Sequence, residues 1–480
     1  MIPHDDRVTG QTREQYDANT GAEGLDDRPH HQRGSKEMDY GRKRIGQVEM
    51  PRAVQDAIRA ILDEQDKSLV RTDALRLYGS LSGSGDVGSK GDKPVLAHIL
   101  EYGYRESTAY IAAIAPTTYS AIKNVLEEVN RRIPDLQPKT CLDFGTGPGT
   151  AIWYERQLRY TGIDASMSML ETAEEILGSM ATAGVAIPNV TFKPFLSHGS
   201  QSTKHDVVIS AFTLSELTTP ALRKSTLEHL WDSTNDLLIL IDRGTPSGFK
   251  TLAEAREQIL GLDLDRCPHD KVCPMYTSLA RDSQWCHFSQ KVQRPDFLRK
   301  TKHSKENFED SKYTYVVLRK GARPVFTPTS DMFAASHLWS RIVVPPLKKD
   351  GHVVIDTCAA NGYLERIIIP KSQGRIPYRD ARKAMWGDLF PHAPKNKPVR
   401  KDTVKNMTDA DREGDEAADE DGKSIKRRPL GVGSEALQKR AKQKEKKQSR
   451  QKVSLDQIDG TKSSRKGKKG GKDEDVFLEL

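Results

Sequence analysis

Apolar and aromatic residues are scarce in this 480-residue chain, at 36% hydrophobic and 6% aromatic, below ordinary globular usage. Part of the chain is therefore expected not to pack. Apolar runs such as Leu237–Ile241 and Ile367–Ile369 fall far short of the ~18 residues that cross a bilayer, so no membrane partner is expected. Five cysteines are too few for a disulfide scaffold. The first forty residues lack an apolar signal-peptide core. With nine acids against five bases they also lack the acid-poor, Arg-rich texture of a transit peptide. Positive charge is in excess overall (75 basic, 67 acidic, net +8), but Lys395–Leu480 holds 24 bases and 17 acids, or +7. The preceding part is left with 8 − 7 = +1.

The last 86 residues contain a single aromatic, Phe477. They cannot bury enough apolar surface to offset the entropy of ordering, so 395–480 reads as a disordered charged tail. Residues 1–46 are polar and aperiodic and read as disordered as well. Helical spacing begins at Met50 with Val54, Ile58, Ile61 and Leu62. It continues through Lys67–Tyr78, Pro94–Tyr104, Glu106–Ala115 and Thr117–Asn130, giving a helical N-terminal region over 47–135.

Strands and helices then alternate over 136–260. The strands are expected at Thr140–Asp143, Tyr160–Asp164, Val190–Lys193, Asp206–Ala211 and Leu237–Asp242. The helices are expected at Thr150–Leu158, Met167–Met180, Pro220–Trp231 and Ser247–Leu260. This is the pattern of a doubly wound α/β sheet. It breaks at Gly261. Residues 261–320 read as an irregular cysteine-rich insertion with a returning strand, Tyr313–Arg319. Residues 321–394 read as a small β extension with a hairpin turn at Asn361-Gly362 and a basic amphipathic segment, Pro377–Asp388.

The loop Asp143-Phe144-Gly145-Thr146-Gly147-Pro148-Gly149-Thr150 leaves the first strand at its carboxyl end, where open α/β sheets bind ligands. A dinucleotide loop wants a third glycine at 150, which is Thr, and has no need of an acid at 143. An S-adenosylmethionine (AdoMet) loop has that acid, and Asp143 can meet the zwitterionic methionine end. Asp164 ends the second strand, where a carboxylate can take both ribose hydroxyls. Asp143, Gly145, Gly147, Gly149 and Asp164 are thus the candidate cofactor residues of an AdoMet methyltransferase-like domain. No catalytic residue is recognisable. The segment after the fourth strand, Phe212-Thr-Leu-Ser-Glu216, lacks the Asn/Asp-Pro-Pro-aromatic run of amine methyltransferases. Glu216 reads as a solvated helix-start glutamate, and Cys141, inside the first strand, as an inert core thiol.

Cys267, Cys273 and Cys286 fall within twenty residues, with Pro after the first two and His269 and His287 nearby; Cys358 comes later, on the hairpin. The gaps fit no zinc knuckle. Four thiolates on irregular loops suit a [4Fe–4S] cluster, with zinc as the alternative. The tail from 423 to 472 carries 18 bases and 4 acids, and Arg379, Arg382 and Lys383 lie in the folded part. Such density neutralises phosphates without reading sequence.

Several segments, taken in order, resemble one family: Tyr110-Ile-Ala-Ala-Ile-Ala-Pro, Leu142-Asp-Phe-Gly-Thr-Gly-Pro-Gly, Asp242-Arg-Gly-Thr-Pro-Ser-Gly, Cys-Pro-His-x3-Cys-Pro, Trp285-Cys-His-Phe, Gly351-His-Val-Val-Ile-Asp-Thr-Cys and Tyr378–Asp388. Over about Met50–Pro391 the chain is similar to the methyltransferase-like proteins of the mitochondrial small ribosomal subunit. The resemblance implies an AdoMet-type fold, a [4Fe–4S] cluster on Cys267, Cys273, Cys286 and Cys358, and a mitochondrial matrix location. It also implies small-subunit rRNA and ribosomal proteins as partners during mitoribosome assembly. Asp242-Arg243 departs from the Glu-Pro more usual there. The expectation is a monomeric rRNA-binding assembly factor. An active AdoMet-dependent rRNA methyltransferase is the first alternative and a zinc-dependent methyltransferase outside the ribosome the second.

Overall fold

The computed structural model describes residues 34–81, 102–154, 158–196, 203–260, 271–277, 284–321 and 332–401. The first 33 residues, the helix expected before residue 102, Cys267 and the tail from 402 lie outside the described residues.

Seven strands make the main sheet: β1 (Thr140–Phe144), β2 (Arg159–Ile163), β3 (Val190–Lys193), β4 (His205–Ala211), β5 (Thr234–Arg243), β6 (Phe288–Gln293) and β7 (Phe308–Arg319). Their order is 3-2-1-4-5-7-6. β1 to β5 are parallel, β7 runs antiparallel to β5, and β6 antiparallel to β7. This is the AdoMet methyltransferase-like sheet. Its order reverses between β1 and β4, so the loops leaving those two strands part and open a crevice.

Both faces are covered, and the strands show it residue by residue. On β5, Leu237, Ile239 and Ile241 enter one core while Leu238 and Leu240 enter the other, as the two-residue period of a strand demands. The first core is closed by α2 (Arg52–Asp63), α4 (Tyr104–Ala113), α5 (Ala115–Arg132) and α6 (Met167–Thr182). α3 (Lys67–Leu81) packs on α4. The second core is closed by α7 (Pro220–Asp232) and α8 (Pro246–Leu260). Pro116 falls between the expected helices Glu106–Ala115 and Thr117–Asn130 but belongs to the second. It sits in the first turn of α5, where its missing N–H has no intrahelical partner to lose.

The helix expected over Thr150–Leu158 is absent from its described part. Residues 150–154 form turns, because Gly149 takes φ +85° and Ala151, Ile152 and Trp153 are all driven into the core. The insertion is also more regular than expected, since β6 and α9 (Asp296–Thr301) lie inside it. β6 alternates Phe288, Gln290 and Val292 inward. Its polar Gln290 hides the pattern from a hydrophobicity reading. The chain tolerates that glutamine because Gln290 accepts from Asn124 Nδ2 at 2.7 Å and donates to the Gly46 carbonyl at 2.7 Å.

After β7 come α10 (Met332–Ser336) and a second sheet of β8 (Ser340–Ile342), β9 (Leu347–Lys348), β10 (His352–Cys358), β11 (Leu364–Pro370), β12 (Leu389–Phe390) and β13 (Val399–Arg400). The order is β12-β8-β10-β11-β13, with β9 on β10. The β10–β11 hairpin turns where Asn361-Gly362 predicted it, with Gly362 at φ +86°. α11 (Arg375–Lys383) covers this sheet.

Residues 34–46 are ordered, against expectation. α1 (Lys36–Gly41) places Met38 in the core of the second sheet. The Ser35 amide donates to Asp380 Oδ1 at 3.1 Å and the Lys43 amide to Asp388 Oδ1 at 2.9 Å. Val48 then pairs with β6, covering a sheet edge that would otherwise expose unpaired backbone groups. This stretch is a strap from the second sheet to the edge of the first. The polar look that suggested disorder comes from backbone and charge pairing, which carries no hydrophobic period.

Candidate cofactor site and cysteine cavity

At the switch point lies a cavity of about 780 Å³, lined by Gly145, Gly147, Asp164, Tyr102, Phe212 and Glu216 among others. Gly145 takes φ +74°, and a Cβ there would collide with the Thr213 side chain. Only glycine lets the β1 loop lie against the β4 loop. Gly147 takes φ +53° with open space where a Cβ would be, so its backbone is bare to the cavity. Asp164 holds the loop in place. Its Oδ2 accepts from the Gly147 amide at 2.8 Å and its Oδ1 from the Ser166 amide at 2.9 Å. Burial pushes this carboxyl above its usual value, against those two bonds. Each oxygen keeps a lone pair that a ribose hydroxyl can use.

Asp143 and Gly149 lie away from the cavity wall. Asp143 is 2% exposed and accepts from Thr146 Oγ1 at 2.7 Å. Burial pushes its carboxyl up to about 7, with Thr146 opposing. In this geometry Asp143 shapes the loop from beneath.

Glu216 is not simply solvated. Arg243 Nη2 donates to its Oε1 at 2.6 Å, and Tyr102 O–H reaches the same oxygen at 3.4 Å. Arg243 also donates to Ser215 Oγ at 3.0 Å, and Ser215 donates in turn to the fully buried Asp242 at 2.8 Å. Burial lowers the affinity of Arg243 for its proton, but Glu216 and Asp242 outweigh that and hold it above the usual value. The departure at Asp242-Arg243 thus has a structural counterpart: the arginine locks the acid at the cavity wall. Sequence reasoning missed this lock because its members lie 27 residues apart, on β5 and the β4 loop.

A second cavity, of about 180 Å³, lies where α5, the main sheet and the second sheet meet. Cys273, Cys286 and Cys358 line it together with Glu128, Arg132 and Arg341. The three thiols adjoin one apolar cluster, with Phe249, Met275, Val343 and Leu364. The insertion and the hairpin therefore share a small apolar core. Among the described residues no group of three or more His, Cys, Asp and Glu side chains is gathered tightly enough to hold a metal ion. Cys141 lies elsewhere, fully buried on β1, its thiol pushed well up by burial.

Behind the thiols is a buried charge network the sequence did not announce. Glu128 Oε1 accepts from Arg341 Nη2 at 2.7 Å. Its Oε2 accepts from Lys43 Nζ at 2.5 Å and Tyr315 O–H at 2.7 Å. Burial alone would raise the Glu128 carboxyl, but Arg341, Lys43 and Arg132 hold it well below the usual range. Burial pulls Lys43 down to about 8.

Strand order, crevice and glycine loop together define an AdoMet methyltransferase-like α/β protein. Within that class, the family described as "Mitochondrial small ribosomal subunit Rsm22" matches residues 104–391, and the chain belongs to it. The human "Ribosome assembly protein METTL17, mitochondrial" is 33% identical over 316 residues, covering 61% of this chain and 65% of that protein. The "Rsm22-cox11 tandem protein 2, mitochondrial" of Schizosaccharomyces pombe is 30% identical over 351 residues, covering 64% and 46%. The chain thus spans less than two thirds of these two relatives. The family is mitochondrial, as the relatives' names state. Among solved structures, the plantazolicin methyltransferase BpumL with SAH matches at 10% identity and TM-score 0.26, over 55% of this chain and 99% of that one. Magnesium protoporphyrin IX methyltransferase from Synechocystis matches at 16% and 0.26, over 53% and 98%.

Proposed function

We propose that this protein acts in mitochondria as an assembly factor of the small ribosomal subunit, binding rRNA and holding AdoMet without transferring its methyl group. Family membership supports the assembly role. The observation that carries the non-catalytic part is the state of the carboxylates on the crevice wall. Asp164 is tied to two backbone amides, and Glu216 is ion-paired to Arg243. With the remaining lone pairs of Asp164 taken by the ribose and Glu216 paired with Arg243, neither is placed as a free general base. AdoMet binding would rest on Asp164 for the ribose and on the bare Gly147 backbone.

The rRNA surface is the outer face of α11 and its neighbour β9. Arg375, Arg382 and Lys383 are exposed there, as are Lys348 and Lys349. Arg382 donates to the Lys349 carbonyl at 3.3 Å, so the two basic segments are adjacent. Such a patch suits phosphate neutralisation.

The cysteine cavity would hold a [4Fe–4S] cluster on Cys273, Cys286 and Cys358, with Cys267, outside the described residues, as fourth ligand. The reading is supported by three thiols that line one cavity with buried cations beside it, although the described thiols are not gathered at ligand distances here. Zinc is the competing occupant. When bound, the group supplies a cross-link between the insertion and the second sheet.

The test is crosslinking and immunoprecipitation of the tagged chain from cells, with iron and sulfide analysis of the anaerobically purified protein. Enrichment of small-subunit mitochondrial rRNA, lost with Arg382→Glu/Lys383→Glu, is expected. No enrichment refutes the assembly reading, and stoichiometric zinc without sulfide refutes the cluster. Methyl incorporation into that rRNA from labelled AdoMet would establish an active methyltransferase instead.

A further inference from the structure

The crevice of about 780 Å³ at the switch point carries charge of one sign. Its described lining holds two carboxylates, Asp164 and Glu216, and no Lys or Arg. The other titratable side chains on its wall are Tyr102, Tyr110 and His229. Asp164 is held by the Gly147 and Ser166 amides, neutral donors that leave its charge uncancelled. Glu216 is paired with Arg243, but that guanidinium stands behind the wall and serves a second acid. Ser215 Oγ accepts from Arg243 Nη1 at 3.0 Å and donates to Asp242 Oδ1 at 2.8 Å, and Asp242 is fully buried.

Three carboxylates thus stand against one guanidinium, an excess of about two negative charges when all are ionised. Burial raises the Asp164 carboxyl, and Glu216 adds to this by repulsion. A buried surplus of one sign is costly unless a counter-charge completes it. AdoMet brings one. Its carboxylate and ammonium cancel, and its sulfonium leaves a net positive charge. The demethylated product, S-adenosylhomocysteine (AdoHcy), has a neutral thioether at that atom. A unit charge ~12 Å from one uncompensated carboxylate, at an effective dielectric of ~20, gains about a factor of ten in affinity. The preference therefore needs no direct contact.

Resting on the AdoMet reading above, we infer that the crevice selects its ligand by charge, binding the sulfonium and discriminating against the thioether. Glu216 is the specificity-determining residue, and Arg243 sets the strength of the effect. An active methyltransferase has to manage the thioether it makes. In a protein that transfers nothing, the same preference makes occupancy follow the supply of methyl donor.

The experiment is calorimetry at pH 8 on the full-length wild type, Glu216→Gln and Arg243→Gln. The probes are AdoMet, AdoHcy and sinefungin, which carries a protonated amine where AdoMet has its sulfonium. Wild type is expected to bind AdoMet and sinefungin about tenfold more tightly than AdoHcy. In Glu216→Gln that ratio should fall to within about threefold. In Arg243→Gln, where Glu216 loses its partner, the ratio should widen. Equal wild-type affinity for AdoMet and AdoHcy overturns the inference and leaves the AdoMet reading standing. So does a tenfold ratio that Glu216→Gln leaves unchanged. If Glu216→Gln fails to fold, Arg243→Gln decides, and an unchanged or smaller ratio there overturns the inference. Wild type that binds none of the three sinks the AdoMet reading, and this inference with it.

Discussion

Removing Glu128 should damage this protein far more than removing the lysine it pairs with. In Glu128→Gln the carboxylate that neutralises Lys43 and Arg341 becomes an amide, and three cations within one buried neighbourhood lose the carboxylate they share. Breaking a buried pair so that a charge stays uncompensated costs about 3–5 kcal/mol. In Lys43→Met the carboxylate keeps Arg341 at 2.7 Å and Tyr315 at 2.7 Å, and a surplus cation is removed. What is lost is one hydrogen bond and the stacking of the ammonium over the Tyr315 ring at 4.2 Å. Each contributes about 1 kcal/mol, partly offset because a desolvated charge disappears. The expected cost is on the order of 1 kcal/mol. The assay is urea unfolding of the anaerobically purified full-length proteins, followed by tryptophan fluorescence. Equal losses in the two variants would refute the view that this cavity holds excess positive charge.

The same lysine gives the pH dependence its sign. Lys43 titrates near 8 when folded and near 10.5 in the ordinary case. Between those values the unfolded chain binds the extra proton, so stability rises with pH. That contribution is complete above about 10.5 and is lost as pH falls through 8. Lys43→Met should remove this part of the alkaline rise, and its persistence would assign the rise to other groups.

The two sites lead to three more expected outcomes. Asp164→Ala should weaken AdoMet binding by about 1–3 kcal/mol, since the ribose hydroxyls lose their acceptor and the Gly147 amide its anchor; calorimetry with unchanged affinity would mean the cavity is not the cofactor site. Gly145→Ala forces a Cβ against Thr213 at positive φ and should cost at least ~1–3 kcal/mol with loss of AdoMet binding, whereas a wild-type melting curve would contradict the close approach of the two loops. Cys273→Ser, Cys286→Ser and Cys358→Ser should each lose iron while Cys141→Ser keeps it, read by elemental analysis; retention in any of the first three removes that residue from the ligand set.

What could be read from the sequence was whatever a local period encodes. β3 and the β10–β11 hairpin carry regular alternation or turn chemistry, and they stand within a residue or two of where the pattern puts them. β6 and α1 did not declare themselves, because their inward positions are filled or flanked by Gln290, Lys43 and the backbone of Ser35. These are satisfied by partners 85 to 345 residues away. The same holds for the sites. The glycine loop and Asp164 form a local motif and could be named in advance. The Arg243 lock on Glu216 and the cations around the cysteine cavity are products of tertiary folding, and no window of sequence contains them.

This placement bears on how the cysteine site could act on the proposed RNA surface. Cys358 ends β10, whose partner β11 leads through residues 371–373 into α11. Cys286 lies two residues before Phe288 of β6, and Trp285 and His287 stack at 5.0 Å, with His287 edge-on to Trp386 at 4.6 Å. Trp386 in turn comes three residues after α11. The basic helix is therefore tied at both ends to segments that carry cavity cysteines, and Arg341 adds a bond to the Gly387 carbonyl at 2.9 Å while pairing with Glu128. The main sheet has two cores of its own, of which Val125, Val129, Ile133, Phe288 and Val316 help to wall the cavity while most other members lie away from it. Emptying the site should accordingly loosen the helix and the insertion before the sheet. In limited proteolysis of Cys286→Ser the expected cuts fall within 261–371, with a protected core near 107–260 and weaker rRNA binding. A variant that binds rRNA as tightly as wild type, or that loses the sheet at the same time, would show that the cavity and the basic face are not mechanically linked.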